Sequence, residues 1–401
     1  MARKSAAGEA PATLMDKVET LAARQAVLRA ETQRAETAEA MARVRLGDAL
    51  LEALAARARA EDETRDALRA RYRAAAWVRP DRRNRVRRLA ESVLNRLTFA
   101  GRAAILARSG LWRTPQGGNR AVLAAAPAMA RYARRGPDPS VQPPALIDQA
   151  WYLRVYPDVV AAGMSPLIHY LLQGGYEGRW PHPLFDADYY SRRNARDLAE
   201  TGLTPLAHFV RVGAGRGLDP HPLFDLAHYV VQAPELIETG ENPLEHYLRT
   251  GAARDLSPHP LFDPAWYRRQ VPEAERGQNL LIHYLNQGSA QGLKPHPLFD
   301  PAWYRERYPE ASGREALSHF VEFGGEQLQS PGPWFDSERY AQARGEGRPI
   351  HIDPLTDYLT GGAWTAAAPA EGFHPVAYLA AHPELVGPGM TPLEHWARRN
   401  G

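Results

Sequence analysis

Pro-His-Pro-Leu-Phe-Asp occupies residues 220–225, and the same six residues stand at 181–186, 258–263 and 295–300. Counted from the aromatic before each aspartate, units open at Phe185, Phe224, Phe262, Phe299, Phe335 and Phe373. An earlier unit opens at Ile147, one further period before Phe185. Self-similarity at a nearly even period, here about 38 residues, is the mark of a tandem array in which no unit can bury its own apolar face. The expected units are 147–184, 185–223, 224–261, 262–298, 299–334, 335–372 and 373–401.

Each unit carries helix punctuation twice. Asp263-Pro264 and Asp300-Pro301 set a capping carboxylate before a proline at the first helical position. The first helix then bears an aromatic ladder whose constant member is Tyr152, Tyr190, Tyr229, Tyr267, Tyr304, Tyr340 and Tyr378. A proline, such as Pro157, Pro234, Pro272, Pro309 or Pro383, is expected to end or kink it. The second helix opens at Ser165-Pro166, Thr204-Pro205, Asn242-Pro243, Asp353-Pro354 and Thr391-Pro392; Asn279 keeps the cap without the proline, and Arg314 keeps neither. Leu244, Tyr247 and Leu248 share one face of it. Gly174, Gly213, Gly251, Gly288, Gly324 and Gly361 are expected to end it in the left-handed conformation. Two such helices per unit predict either a solenoid of stacked hairpins or units gathered round one compact centre.

Upstream of the array the composition changes. Residues 13–76 lack proline and are rich in Ala, Arg, Glu and Leu, which predicts one long helix capped by Thr13 after a disordered 1–12. Leu14, Leu21, Leu28, Ala35, Ala42 and Ala49 recur every seventh residue, with Val18, Gln25, Thr32, Glu39, Leu46 and Ala53 four further on. This seam predicts a coiled coil that joins copies of the chain, although its polar middle also fits a solvated helix or one docked on the protein's own body.

Residues 77–136 hold 14 arginines against Asp81 and Glu91. The chain's net charge of +3 is therefore divided into +2 over 1–76, +12 over 77–136 and −11 over 137–401. Arg82, Arg83, Arg85, Arg87 and Arg88 precede an amphipathic stretch, and Trp112 closes a second. Such a basic amphipathic segment can lie on an anionic membrane surface, or it can be a solvated linker that pairs with the acidic repeats. Nucleic acid is disfavoured, since no helix-turn-helix, zinc finger or stacking platform accompanies the charge. Gly136-Pro137-Asp138-Pro139 separates this segment from the array.

The chain has no cysteine, which excludes disulfides and thiolate chemistry. The first ten residues lack the apolar core of a signal peptide, and no apolar run approaches the ~20 residues of a membrane span. A cytoplasmic address, or one peripheral to the inner membrane, is expected.

The recurring histidines are the tempting chemistry. His169, His208, His246 and His283 each precede a partner at one fixed spacing, namely His182, His221, His259 and His296. A metal site needs three or four converging ligands, and each unit offers two. The expected role is structural, with imidazoles bonded to loop backbone. Asp186-Ala187-Asp188 mimics a metal-binding Asp-x-Asp, but it sits where other repeats keep a helix cap. No nucleophile–base–orienter set stands out, so no catalytic residue, cofactor or metal is expected.

The repeats resemble a degenerate module of bacterial glycosyltransferases and rhamnan-synthesis-type surface-polysaccharide proteins, also found in some secreted calcium-binding repeat proteins. The resemblance rests on residues 299–304 (Phe-Asp-Pro-Ala-Trp-Tyr), 156–159 (Tyr-Pro-Asp-Val), 242–248 (Asn-Pro-Leu-Glu-His-Tyr-Leu) and 174–179 (Gly-Gly-Tyr-Glu-Gly-Arg). No catalytic glycosyltransferase domain and no glycine-aspartate nonapeptides accompany them. The resemblance implies an accessory, non-enzymatic scaffold whose partners are glycosyltransferase or export proteins. A glycan-binding module using exposed Trp and Tyr, or a divergent glycosyltransferase, are the alternatives.

Overall fold

The computed structural model describes residues 11–76, 145–345, 352–386 and 390–400. The Arg-rich segment, with Arg82, Arg83, Arg85, Arg87, Arg88 and Trp112, lies outside the described residues. The fold is all-helical: one long helix followed by a tandem array of short helix-turn-helix units. No described helix is long and apolar enough to cross a membrane.

The opening helix, α1, runs from Pro11 to Ala76. It therefore starts before Thr13, with the proline among its first residues, where a missing N–H costs nothing. Its 66 residues span about 99 Å at 1.5 Å per residue.

Each of the first five units of the array is built in three strokes rather than the two expected. An aspartate caps the first helix through its side chain: Asp225 Oδ1 accepts from His228 N at 2.9 Å, and Asp263 Oδ1 from Trp266 N at 2.9 Å. The proline after this helix does not simply end it. Pro157 and Pro309 open a further short helical piece, Pro157–Ala161 and Pro309–Gly313. Proline's fixed φ suits a first helical turn as well as it breaks a last one. The closing helix follows, as at Pro243–His246, and passes directly into a π-helical turn. Such turns recur at Tyr170–Gly174, Phe209–Gly213, Tyr247–Gly251, Tyr284–Gly288 and Phe320–Gly324.

Two local expectations are corrected. Glu315, not Arg314, caps the closing helix of the fifth unit, accepting from Leu317 N and Ser318 N. The glycines that end the closing helices are not left-handed: Gly213 and Gly251 in π-turns have φ of −62° and −65°, and Gly361, after an α-helix, is extended at 176°. The left-handed residue comes four positions later, at Gly178, Gly217, Asp255, Gly292 and Leu328. It lets the next N–H turn back onto the glycine carbonyl, as Leu256 N does to Gly251 O at 3.0 Å.

Three aromatics fill most units. Phe224, Tyr229 and Tyr247 meet with ring centroids 5.3, 5.3 and 5.6 Å apart, and Phe262, Tyr267 and Tyr284 repeat the arrangement. Tilted and edge-on aromatic pairs of this kind each add about 0.5–1.5 kcal/mol beyond their burial.

A backbone staircase joins the units. Asp186 N donates to Pro220 O, Asp225 N to Pro258 O, Asp263 N to Pro295 O, Asp300 N to Pro331 O and Asp336 N to Pro369 O, at 2.7–3.0 Å. The capping aspartate at the start of each of these units is thereby tied to the turn at that unit's end, which leads into the next. The staircase winds tightly, because polar latches join the second unit to the fifth and the fourth to the seventh. Asp186 and Arg192 of the second unit meet Arg314 and Glu322 of the fifth. Asp263 and His296 of the fourth meet Arg398 and Glu394 of the seventh. Three units make about one turn of a superhelix whose successive turns touch.

Candidate functional site

The recurrent histidines and tyrosines assemble inside the array, and the two histidines of each pair do different things. The first histidine of the pair lies at the end of the closing helix and faces the ladder tyrosine. Tyr152 Oη is 3.0 Å from His169 Nδ1, Tyr190 Oη 2.7 Å from His208, Tyr229 Oη 2.7 Å from His246, and Tyr267 Oη 2.7 Å from His283. The fifth and seventh units repeat it with Tyr304–His319 and Tyr378–His395. Glu275 lies 2.8 Å from His283 Nε2 and accepts from it, while His283 Nδ1 faces the tyrosine hydroxyl. Burial pushes the Tyr152, Tyr190, Tyr229, Tyr267 and Tyr304 hydroxyls well above the usual phenol range. Burial also lowers His169, His208 and His246, holding them neutral.

The glycine that follows completes the motif. A Cβ on Gly213 would lie 2.1 Å from Tyr190 Oη, on Gly251 1.9 Å from Tyr229 Oη and on Gly288 1.8 Å from Tyr267 Oη. Glycine is required there because the tyrosine hydroxyl occupies the space of a side chain.

The sixth unit shows the same site rebuilt. Asp357 stands in place of histidine, accepts from Tyr340 Oη at 2.6 Å and receives Arg344 at 3.0 and 3.2 Å. The glycine contact shifts to Gly362, whose Cβ would meet Tyr340 Oη at 1.7 Å. Arg344 is the compensation that sequence reading missed; it lies at the end of the preceding helix, Ser337–Arg344, with no motif to tie it to Asp357. Arg344→Ala is expected to destabilise the fold by about 2–4 kcal/mol, since it strands a nearly buried carboxylate. Thermal melts of Arg344→Ala and of Asp357→His/Arg344→Ala check this. The second variant restores the histidine of the other units and is expected to recover most of the loss.

The second histidine of each pair stabilises a turn. His182 Nδ1 accepts from Leu184 N, His221 from Leu223 N, His259 from Leu261 N and His296 from Leu298 N, at 3.0–3.2 Å. Burial lowers His182 and His259 to about 4 and His221 to about 3, the last helped by Arg314, His259 and His182 nearby. His296 alone reaches a carboxylate across the superhelical turn, with Nε2 3.2 Å from Glu394. Glu394 also accepts from Thr391 N while its own N–H reaches Thr391 Oγ1, so one residue closes a capping box and latches two turns.

Asp186 caps its helix by accepting from Tyr189 N at 2.8 Å and faces Arg314; burial raises it to about 6. Asp188 instead lies at the surface, 3.4 Å from Trp180 Nε1. The two carboxylates do not converge on a common ligand position. Among the described residues, no cluster of three or more His, Asp or Glu side chains could hold a metal ion. The ladder tyrosines Tyr152, Tyr190, Tyr229, Tyr267 and Tyr304 are all fully buried, so none offers a ring face to a sugar.

A surface that sequence reading did not single out lies on α1. Gly47, Leu51 and Leu54 are buried, with Ala58 half-buried, in a stripe spaced four, three and four residues apart. Leu51 and Leu54 pack with Leu379 and Leu385, beside Trp364, Val376 and Tyr378. Gly47 is needed because a Cβ would lie 2.5 Å from the Val376 carbonyl oxygen. Overall α1 lies against Ala214–Arg216, Leu226–Gln232 and Glu235–Thr239 on one turn of the superhelix, and against Gly362–Trp364, Pro375–Ala381 and Pro383–Val386 on the next. It is a strap across two turns. No protein-family model, curated protein or solved structure matches the chain.

Proposed function

We propose that the protein is a non-enzymatic scaffold that presents a rigid, acidic helical array to protein partners of bacterial surface-polysaccharide synthesis or export. The observation that carries this reading is the use to which the recurrent residues are put. Tyrosine, histidine and glycine are locked against one another in the first five units, and tyrosine, aspartate and arginine in the sixth, so the repeat chemistry builds stiffness, and partner selection falls to the solvent-facing side chains. The array as a whole carries a net −11 over residues 137–401. In this reading the Arg-rich 77–136 segment brings the array to an anionic membrane surface, and the resemblance of the repeat motifs supplies the glycan context.

Affinity capture with the full chain from a bacterial lysate that contains it, followed by mass spectrometry and sugar analysis, tests this. Reproducible enrichment of glycosyltransferases or export proteins is the expected result. Recovery of polysaccharide without a specific protein would replace the scaffold with a glycan-binding module. Turnover of a nucleotide-sugar by the purified chain would replace it with an enzyme.

A further inference from the structure

We propose that α1 pairs with the α1 of a second copy of this chain through the face opposite its own docking stripe, so that two docked arrays project to either side of the paired helices. This rests on the scaffold reading and names its first partner. The two faces interleave in sequence and are separated round the helix axis. The docking stripe is Gly47, Leu51, Leu54 and Ala58. The heptad seam passes through Leu28, Ala35, Ala42, Leu46 and Ala49, about 140° round the helix at 3.6 residues per turn.

Seam positions are solvent-facing where the side chains are described. Gln25, Leu28, Thr32, Ala35, Glu39, Ala42, Leu46, Ala49 and Ala53 are all exposed, Leu28 to 55% and Leu46 to 50%. Residues 31–46 are exposed at every position, so this stretch of α1 stands clear of the array on all sides. A helix without a tertiary face to lie against is marginal in water, and a second helix supplies that face.

A second copy fits better than another occupant for two reasons. The seam repeats over six heptads, and its core and flanking positions together provide about 24 residues per chain; a stable interface takes about 20–30. The charge along the seam's edges is mixed, with Arg24, Arg29, Arg43 and Arg45 against Glu31, Glu36 and Glu52, and residues 1–76 sum to only +2. A strongly acidic or basic partner finds no complement there, whereas a chain with the same mixture does.

Sedimentation-velocity mass of the full-length protein at about 20 µM tests the proposal. The expected mass is that of two chains. Leu28→Arg/Leu46→Arg is expected to give one chain with an unchanged melting temperature of the array, because both side chains are already exposed. Leu51→Arg, on the docking stripe, is expected to keep the mass of two chains while lowering that melting temperature. A single-chain mass for the wild type, or a two-chain mass that survives Leu28→Arg/Leu46→Arg, overturns the pairing. A monomer that still captures its protein partners would overturn the pairing alone and leave the scaffold reading standing.

Discussion

Replacing Gly288 with alanine is expected to lower the melting temperature of the array by about 10 °C. The new Cβ would lie 1.8 Å from Tyr267 Oη and 3.0 Å from its Cζ. Relief requires the tyrosine ring to move, but the ring is packed between Phe262 and Tyr284 at centroid distances of 5.3 and 5.6 Å. Movement also breaks the 2.7 Å bond to His283 Nδ1 and leaves two buried polar atoms without partners. Overpacking costs about 1–3 kcal/mol and stranding a buried polar group a similar amount. For a domain of this size each kcal/mol shifts the midpoint by about 2–4 °C.

The cause can be isolated by a double-mutant cycle. Tyr267→Phe removes Oη and leaves Cζ as the nearest atom. It is expected to cost about 1–3 kcal/mol by itself, because His283 Nδ1 loses its donor. Gly288→Ala/Tyr267→Phe is then expected to be more stable than the sum of the single changes predicts, by about 1–3 kcal/mol. Gly277, with no atom within 4 Å of a built Cβ, is the control, and Gly277→Ala is expected to be neutral or slightly stabilising. Strict additivity in the Gly288/Tyr267 cycle would show that the glycine is there for some reason other than the tyrosine hydroxyl.

The second large effect is on acid stability. In the folded chain His182 and His259 are held near about 4 and His221 near about 3. Their unfolded value is about 6.5. Above pH 6.5 both states carry neutral imidazole, and these residues add no pH dependence. As the pH falls from 6.5, the unfolded chain takes up protons that the folded chain refuses, so stability is lost until the pH reaches the folded values. Each histidine contributes a slope of about 1.4 kcal/mol per pH unit in that window, and the three together about 4. Asp186 and Asp353, raised by burial to about 6, act in the opposite sense, since the folded state binds their protons first between about 6 and 3.8. Two carboxylates do not offset three imidazoles over the same window.

The melting temperature is therefore expected to fall by about 10 °C between pH 7.0 and pH 5.0. The substitution His182→Asn/His221→Asn/His259→Asn should flatten that slope. Asparagine's side-chain oxygen can accept the same backbone N–H two residues on, so the turn survives without a titrating group. A slope as steep in the triple variant as in the wild type would assign the acid sensitivity to other residues.

Much of the local structure was legible in the sequence. Aspartate before proline marked the helix starts, and the Phe, Tyr and His-Tyr positions marked the core of each unit, because capping chemistry and 3.6-residue periodicity act within a few residues. The histidine pairs were legible as a pattern, but their division of labour was not. The first of each pair answers to a tyrosine 15–18 residues away, the second to a backbone N–H only two residues on. The glycines illustrate how a correct residue can carry the wrong explanation. Their place after a helix fits a left-handed cap, whereas the space they leave is filled by a tyrosine hydroxyl from another helix of the unit.

The sequence by itself determined the all-helical class, the tandem repetition of short helical units, the helix starts and the aromatic core, since these depend on spacing within one unit. The tertiary structure alone decided that three units make a turn, that Asp186 meets Arg314 and Asp263 meets Arg398, and which face of α1 meets the array. Superhelical pitch comes from the small rotation between neighbouring units, which depends on the volumes packed at their interface and repeats nowhere as a motif. The docking stripe of α1 consists of one glycine, two leucines and an alanine in a helix already rich in alanine and leucine. Only the presence of Val376, Leu379 and Leu385 opposite distinguishes it from the seam on the other side.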